Sequence, residues 1–204
     1  MKKRGSEFAL AYMPPMTKAS RTTVTVLFSG GIDSSGCISF YVRQRIRIRP
    51  LFVDYGQPAS RAERKSAYAV CSFYGLSLHV ISLKGLKVPR SGEILGRNLL
   101  LVSAALIAAG FETNLIALGI HRGTRYFDCG PGFIKLCERL FEGYTDGQIR
   151  IAAPFLKMNK AEVWEYCKQN HVPLRLTWSC EASCTRPCTK CLSCKDKESL
   201  LARA

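Results

Sequence analysis

The chain has 204 residues, 47% of them hydrophobic, which suits one domain with a full core and room for a small appendage. No apolar run nears the roughly 20 residues of a membrane span, and the short run at 8–13 is cut by Pro14-Pro15 with no small-residue cleavage site after it, so a cytoplasmic protein without membrane attachment is expected. The 30 Lys+Arg against 15 Asp+Glu leave a net charge of +15, which either draws a polyanion (nucleic acid, nucleotide, acidic protein) or simply makes a basic soluble surface.

Residues 1–21 read as a basic, Pro-containing tail. Thr23–Phe28 is β-branched and apolar, a buried strand. Ser34–Gln44 is expected as a helix, Ile48–Asp54 as a second strand and Ala59–Phe73 as a helix. Leu78–Leu83 returns to strand, and a Gly/Pro/Lys-rich loop follows over 84–96. Asn98–Ala109 is almost wholly apolar, hence a buried helix. Leu115–Gly119 reads as strand and Gly130–Phe141 as helix. Asn159-Lys160-Ala161-Glu162 resembles a capping box opening a helix to about Gln169. Strands alternating with helices predict an α/β fold: an open parallel sheet of about five strands with helices on both faces. Residues 22–176 form that nucleotide-binding unit, and 177–204 change to cysteines and short polar residues.

Strand, then Ser29-Gly30-Gly31-Ile32-Asp33-Ser34, then helix is an arrangement that holds a phosphate. Glycines let consecutive N–H groups converge on one anion, and a helix start adds free donors and a positive dipole end. The Walker pattern and the G-x-G-x-x-G fingerprint are both absent. An ordinary small-residue turn is the duller reading. The six-residue pattern at a strand's carboxyl end favours phosphate, and it resembles the SGGxDS motif of the PP-loop ATP pyrophosphatase superfamily.

Of ten cysteines, five fall in "TWSCEASCTRPCTKCLSCK" (177–195). Cys188-x-x-Cys191-x-x-Cys194 offers three thiolates, and Cys180 or Cys184 competes for the fourth place of a tetrahedral zinc site. An iron–sulfur cluster or a redox pair is the rival. Cys37, Cys71, Cys129, Cys137 and Cys167 read as small buried hydrophobes.

Together "LFSGGIDSS", "FVDYGQ" (52–57), "GRNLL" (96–100), "LGI…DC…FI" (118–134), "APFLKMNKAEV" (153–163) and the cysteine run resemble the QueC family of 7-cyano-7-deazaguanine synthases, over nearly all of the chain after about residue 22. The resemblance implies an AMP-forming ligase that adenylates the carboxylate of 7-carboxy-7-deazaguanine, releasing pyrophosphate. An amine donor such as ammonia then gives the amide, and a second round gives the nitrile. It implies ATP, Mg²⁺ and Zn²⁺ as cofactors and a homodimer. Ser29, Gly30, Gly31, Asp33, Ser34 and Ser35 would hold ATP, flanked by Phe28 and Asp54, with Asp33, Ser34 and Lys160 catalytic. Tyr55, Gln57, Arg97, Asn98 and Asp128 would meet the substrate. Zinc would be held by Cys180, Cys188, Cys191 and Cys194, leaving Cys184 as the extra.

Duller roles stand beside several of these. Lys160 could be an exposed first-turn lysine, Gln57 a helix cap, and Trp178 core rather than a stacking platform. His79 and His121 receive no proton-transfer role. The family's acidic residue after the fourth strand is missing from "HRGTRYFDCGPGF" (121–133), and Glu181 stands where an aromatic residue is usual. Arg122 and Arg125 suit an acidic partner. The alternative acceptor is therefore an amine of a protein or nucleic acid, as for QueC-like paralogues in anti-phage defence. A zinc-ribbon nucleic-acid binder and a tRNA-modifying PP-loop enzyme are the other readings.

Overall fold

The computed structural model describes residues 22–89, 94–182 and 185–201. The predicted basic tail (1–21) and the expectation for Cys184 lie outside the described residues.

Five strands form one wholly parallel sheet: β1 (Thr23–Leu27), β2 (Arg47–Asp54), β3 (His79–Ser82), β4 (Leu115–Ala117) and β5 (Arg150–Ala152), in the order β3-β2-β1-β4-β5. Parallel neighbours need crossovers, and helices supply them. α1 (Ile32–Arg43), α2 (Ser60–Phe73) and α5 (Lys160–Gln169) cover one face, burying Ile38, Tyr41, Val70, Val163 and Cys167 against Val24 and Val26. α3 (Arg97–Ala109) and α4 (Pro131–Thr145) cover the other, burying Val102, Ala105, Ile134 and Phe141 against Leu27, Leu51 and Ile116. β1 is therefore buried on both sides, which is why all five of its β-branched or apolar residues, Thr23 and Thr25 included, are buried. The last helix, α6 (Leu192–Leu201), adds Leu200 to the first of these cores.

The chain runs outward from β1 through β2 to β3, then returns to place β4 on β1's other side. Such a reversal leaves a crevice at the carboxyl ends of the central strands.

Several expectations needed adjustment. α1 begins two residues earlier than predicted, because extended Gly31 already serves as N-cap. Asp33 and Ser34 thus lie in the helix's first turn. α4 runs on to Thr145, beyond the predicted end at Phe141. α3 is buried on one side only: Leu99 is 46% and Ile107 is 83% exposed. The capping box of α5 is present, with Asn159 Oδ1 accepting from Glu162 N (2.9 Å) and Glu162 Oε2 accepting from Asn159 N (2.6 Å). Cys37, Cys71, Cys129, Cys137 and Cys167 are all buried. No described helix is long and apolar enough to cross a membrane.

Candidate active site

The crevice holds a cleft of about 260 Å³. The loop after β1 forms its floor. Gly30 has φ +75, a left-handed conformation, and a Cβ there would stand 2.6 Å from Ala67 N and 2.7 Å from Glu63 O. Only glycine lets the loop pass this close to α2. Its carbonyl accepts from Ser66 Oγ (2.8 Å) and Trp178 N (3.0 Å), so α2 and the C-terminal segment both pin the turn. Across the loop, a Cβ on Gly119 would lie 2.8 Å from the Asp33 carbonyl and from Ser34 N, so β4's outgoing chain presses on the start of α1. Ser29 Oγ accepts from Gly31 N (3.3 Å) and lies 3.2 Å from Ser34 Oγ. The first turn of α1 carries no side-chain cap, which leaves backbone N–H groups to meet an anion.

Lys160, from the start of α5, places Nζ 2.5 Å from Asp33 Oδ2. A first-turn lysine sits against the unfavourable end of its own helix dipole, and this pairing compensates that. His121 Nε2 is 4.0 Å from the same oxygen. Asp33 Oδ1 is buried with no hydrogen-bond partner among the described residues. A buried carboxylate oxygen without a donor is a suitable ligand for a hard cation such as Mg²⁺.

Phe28, Ser29, Gly31, Asp33, Ser34, Tyr55, Gln57, Arg97, Asn98 and Lys160 all line the cleft. Four of the predicted residues do not. Gly30 shapes the loop from behind. Ser35 is fully buried, its hydroxyl unpartnered among the described residues. Asp54 turns its Oδ1 to Gly56 N (3.1 Å). Asp128 caps α3 across the chain, its Oδ2 accepting from Asn98 N (3.0 Å), while Asn98 Nδ2 donates to the Asp128 carbonyl (2.9 Å). Gln57 does not cap α2 with its side chain. Its Oε1 accepts from Tyr55 N (2.9 Å) and its Nε2 donates to Val53 O (3.3 Å) and Glu63 Oε2 (2.9 Å), locking the corner after β2. Burial pushes the Tyr55 hydroxyl up to about 12, opposed by the adjacent Arg97 guanidinium. Burial also raises the Glu63 carboxyl above its usual range, against the pull of the Gln57 bond.

Trp178 is half-buried and lines the cleft, contrary to its expected place in the core; its Nε1 donates to Cys180 O (2.8 Å). Arg122 and Arg125 are both exposed, and Arg122 is held 3.2 Å from Glu162 Oε2, so it braces α5's capping box. Glu63, Ser179, Glu181, Ser193, Asp196 and Lys197 also line the cleft. Glu181 stands out in the sequence only as a departure from the family's usual aromatic residue, and the others carry no signal, since α2, which bears Glu63, and the C-terminal segment folding back over the loop bring them together.

The sulfurs of Cys180, Cys188, Cys191 and Cys194 lie within 4.8 Å of one another, a set able to hold a metal ion. Backbone donors support them: Cys188 N donates to Cys180 Sγ (3.3 Å) and Cys191 N to Cys188 Sγ (3.3 Å). The backbone N–H groups of Cys191 and then Lys190 lower the Cys188 thiol. Four thiolates braced by N–H groups fit a closed tetrahedral centre.

Comparison with known proteins carries the same stamp. Residues 23–91 and 89–204 match the family described as Queuosine biosynthesis protein QueC. The chain is 31% identical over 204 residues to the 7-cyano-7-deazaguanine synthase of Prochlorococcus marinus (strain MIT 9215), covering 85% of this chain and 90% of that one. It is 28% identical over 196 residues to that of Acetivibrio thermocellus, covering 83% and 88%. Among solved structures, a 4-thiouridine synthetase–RNA complex with bound ATP superposes with a TM-score of 0.52 at 16% identity, over 89% of this chain and 50% of that one. The U34-tRNA thiolase NcsA from Methanococcus maripaludis gives 0.50 at 14%, over 89% and 65%. At such low identity these neighbours speak for the fold alone. The loop under the cleft, the clustered cysteines and the family match over both stretches agree, and this chain belongs to the QueC family of PP-loop, ATP-dependent ligases.

Proposed function

We propose that the protein uses ATP to adenylate the carboxylate of 7-carboxy-7-deazaguanine for attack by an amine. A ring carboxylate is resonance-stabilised and inert to ammonia near neutral pH. Attack of its oxygen on the α-phosphorus breaks the bond to the β-phosphate, and pyrophosphate leaves. The resulting acyl-adenylate can expel AMP when an amine adds. With ammonia the product is an amide; adenylation of the amide oxygen, then loss of AMP and a proton, leaves the nitrile.

The observation that carries this reading is the floor of the cleft: an uncapped helix start with Lys160 reaching across it to Asp33. The free N–H groups of α1 and the Ser29 and Ser34 hydroxyls would cradle the departing pyrophosphate. Lys160 would offset charge as it develops on the bridging oxygen. Mg²⁺, held from the protein side by Asp33, would neutralise phosphate charge when bound. Arg97 would steer the substrate carboxylate toward the loop. We assign the metal of the Cys180, Cys188, Cys191 and Cys194 set as zinc, in a structural role that keeps the wall over 177–201 folded.

Incubation with ATP, Mg²⁺ and 7-carboxy-7-deazaguanine, with and without ammonia, tests this. AMP and pyrophosphate should form only when the deazaguanine is present, and Lys160→Met should lower kcat roughly 100- to 1,000-fold, as loss of one aligned donor does elsewhere. AMP release indifferent to the deazaguanine, or ADP as the product, would sink the proposal. Mass spectrometry then assigns the acceptor: free nitrile means ammonia, and a mass added to protein or RNA means a macromolecular amine.

A further inference from the structure

The cleft is electrically divided. Its loop end presents the start of α1 and Lys160, both suited to anions. Trp178, Ser179, Glu181, Ser193, Asp196 and Lys197 supply another part of the lining, which brings two carboxylates and one ammonium, and Glu63 lines the cleft with Tyr55 and Gln57. Carboxylates there repel a triphosphate and the carboxylate awaiting activation. Any part of the substrate that reaches them must offer hydrogen-bond donors.

These acids are not equivalent. Glu63 is already engaged by Gln57 Nε2 at 2.9 Å, and burial biases it toward its neutral form. Asp196 is exposed on α6. Glu181 is both oriented and open. Ser193 Oγ donates to its Oε1 (2.8 Å), while no bond to its Oε2 is seen among the described residues. Its backbone follows Cys180, whose sulfur belongs to the four-thiol set and whose carbonyl accepts from Trp178 Nε1 (2.8 Å). The Glu181 charge also reaches Tyr55 and Glu63 on the facing wall, where the Arg97 guanidinium balances it.

Resting on the adenylation reading above, we infer that Glu181 is a specificity-determining residue that reads the amidine-like edge of the substrate. A guanine-type ring carries a ring N–H and an exocyclic amine side by side, two parallel donors that match the two oxygens of one carboxylate. In a deazaguanine acid this edge lies at the far end of the bicycle from the carboxyl group. With the carboxyl group aimed at the loop and Lys160, the edge would be left to Glu181. Glutamine at this position would set its own NH₂ against the substrate's donors.

The test is binding calorimetry and steady-state kinetics on the full-length, metal-loaded protein. The two ligands are 7-carboxy-7-deazaguanine and the same molecule without its exocyclic amine. Glu181→Gln should weaken binding of the first roughly 10- to 100-fold, the range of one bidentate pair, and should erase discrimination between the two. KM for ATP and the bound metal should stay as in the wild type, which separates this effect from a misfolded wall. Ser193→Ala, which loses only the orienting bond, should weaken binding in the same direction by less than about 10-fold. A Glu181→Gln protein that still discriminates, or whose KM for ATP rises in parallel, overturns the inference. If the wild type binds the deazaguanine through Glu181 yet forms no AMP from it, the adenylation reading falls and this one stands.

Discussion

The two ends of the cleft are held in place by different physics. The loop end is braced by backbone and packing: Gly30 wedged against α2, Gly119 against α1, and Lys160 on Asp33 at the head of a capped helix. The cysteine wall has almost no core of its own. Between Cys180 and Leu200 no described residue is buried, so a metal on its four clustered sulfurs would supply the cross-linking that apolar contacts do not. The loop end is therefore expected to persist without metal, and the wall is not. The parts proposed to activate ATP and to read the substrate would then be separable in stability even though they share one cleft.

The effect with the widest reach breaks the self-supporting end, since it should cost both fold stability and activity. Gly30→Ala forces a side chain into a left-handed backbone, costing about 1–3 kcal/mol, and into contact with α2's backbone, costing about 1–3 kcal/mol more. A denaturation midpoint lowered to match, together with loss of AMP formation, is expected; a variant with wild-type stability and activity would show the loop is not braced as described. Removing the metal sharpens the contrast from the other side. Structural zinc contributes roughly 10–16 kcal/mol of apparent binding energy in small sites. With Cys188→Ser, or with a chelator, hydrogen exchange should become fast over 178–199 while β1, β2 and β4 stay protected. Uniform loss of protection would mean that both ends share one cooperative unit.

The smallest effect concerns the brace under Lys160. The Asn159 N–H holds the Glu162 carboxyl below its usual range, with Arg122 adding to this. Its folded pKa is thus lower than its unfolded one. The associated stability is present above the ordinary carboxylate value of about 4.3 and is lost as pH falls through the lower folded value. Glu162→Gln should lower the urea midpoint slightly at pH 6, and the gap to wild type should close by acid pH. A gap that widens with acid would reverse the assignment. The Glu162 side chain is 43% exposed, so the effect stays within the few tenths to 1 kcal/mol of a surface interaction.

Much of the fold was legible because its signals are local. β1's β-branched run, the apolar faces of α1 and α5 and the Asn159–Glu162 capping box each depend on residues within a turn or a strand of one another. β5 escaped notice as a separate strand because its three residues open on Arg150 and Pro154 follows close behind, whereas β4, equally short, lies in the apolar run Leu115–Leu118. α6 escaped because only Leu200 of its ten residues is buried.

The site divides in the same way. Ser29 to Ser34 announce an anion loop because the backbone conformation they need is written into their own glycines. The cysteine spacing announces a metal set because three of its four sulfurs lie within seven residues, Cys188 to Cys194. What a side chain meets across the cleft is decided only by tertiary structure. That Lys160 reaches Asp33, that Asp128 caps α3 instead of lining the cleft, and that Arg122 braces Glu162 are contacts between elements 127, 30 and 40 residues apart. Glu181 enters the cleft for the same reason, since its place depends on where the cysteine segment folds back against Gly30. Local sequence sets backbone conformation and burial pattern through short-range sterics and hydrophobic periodicity. Pairings across a cleft follow from how the packed elements are oriented, which no single stretch of the chain encodes.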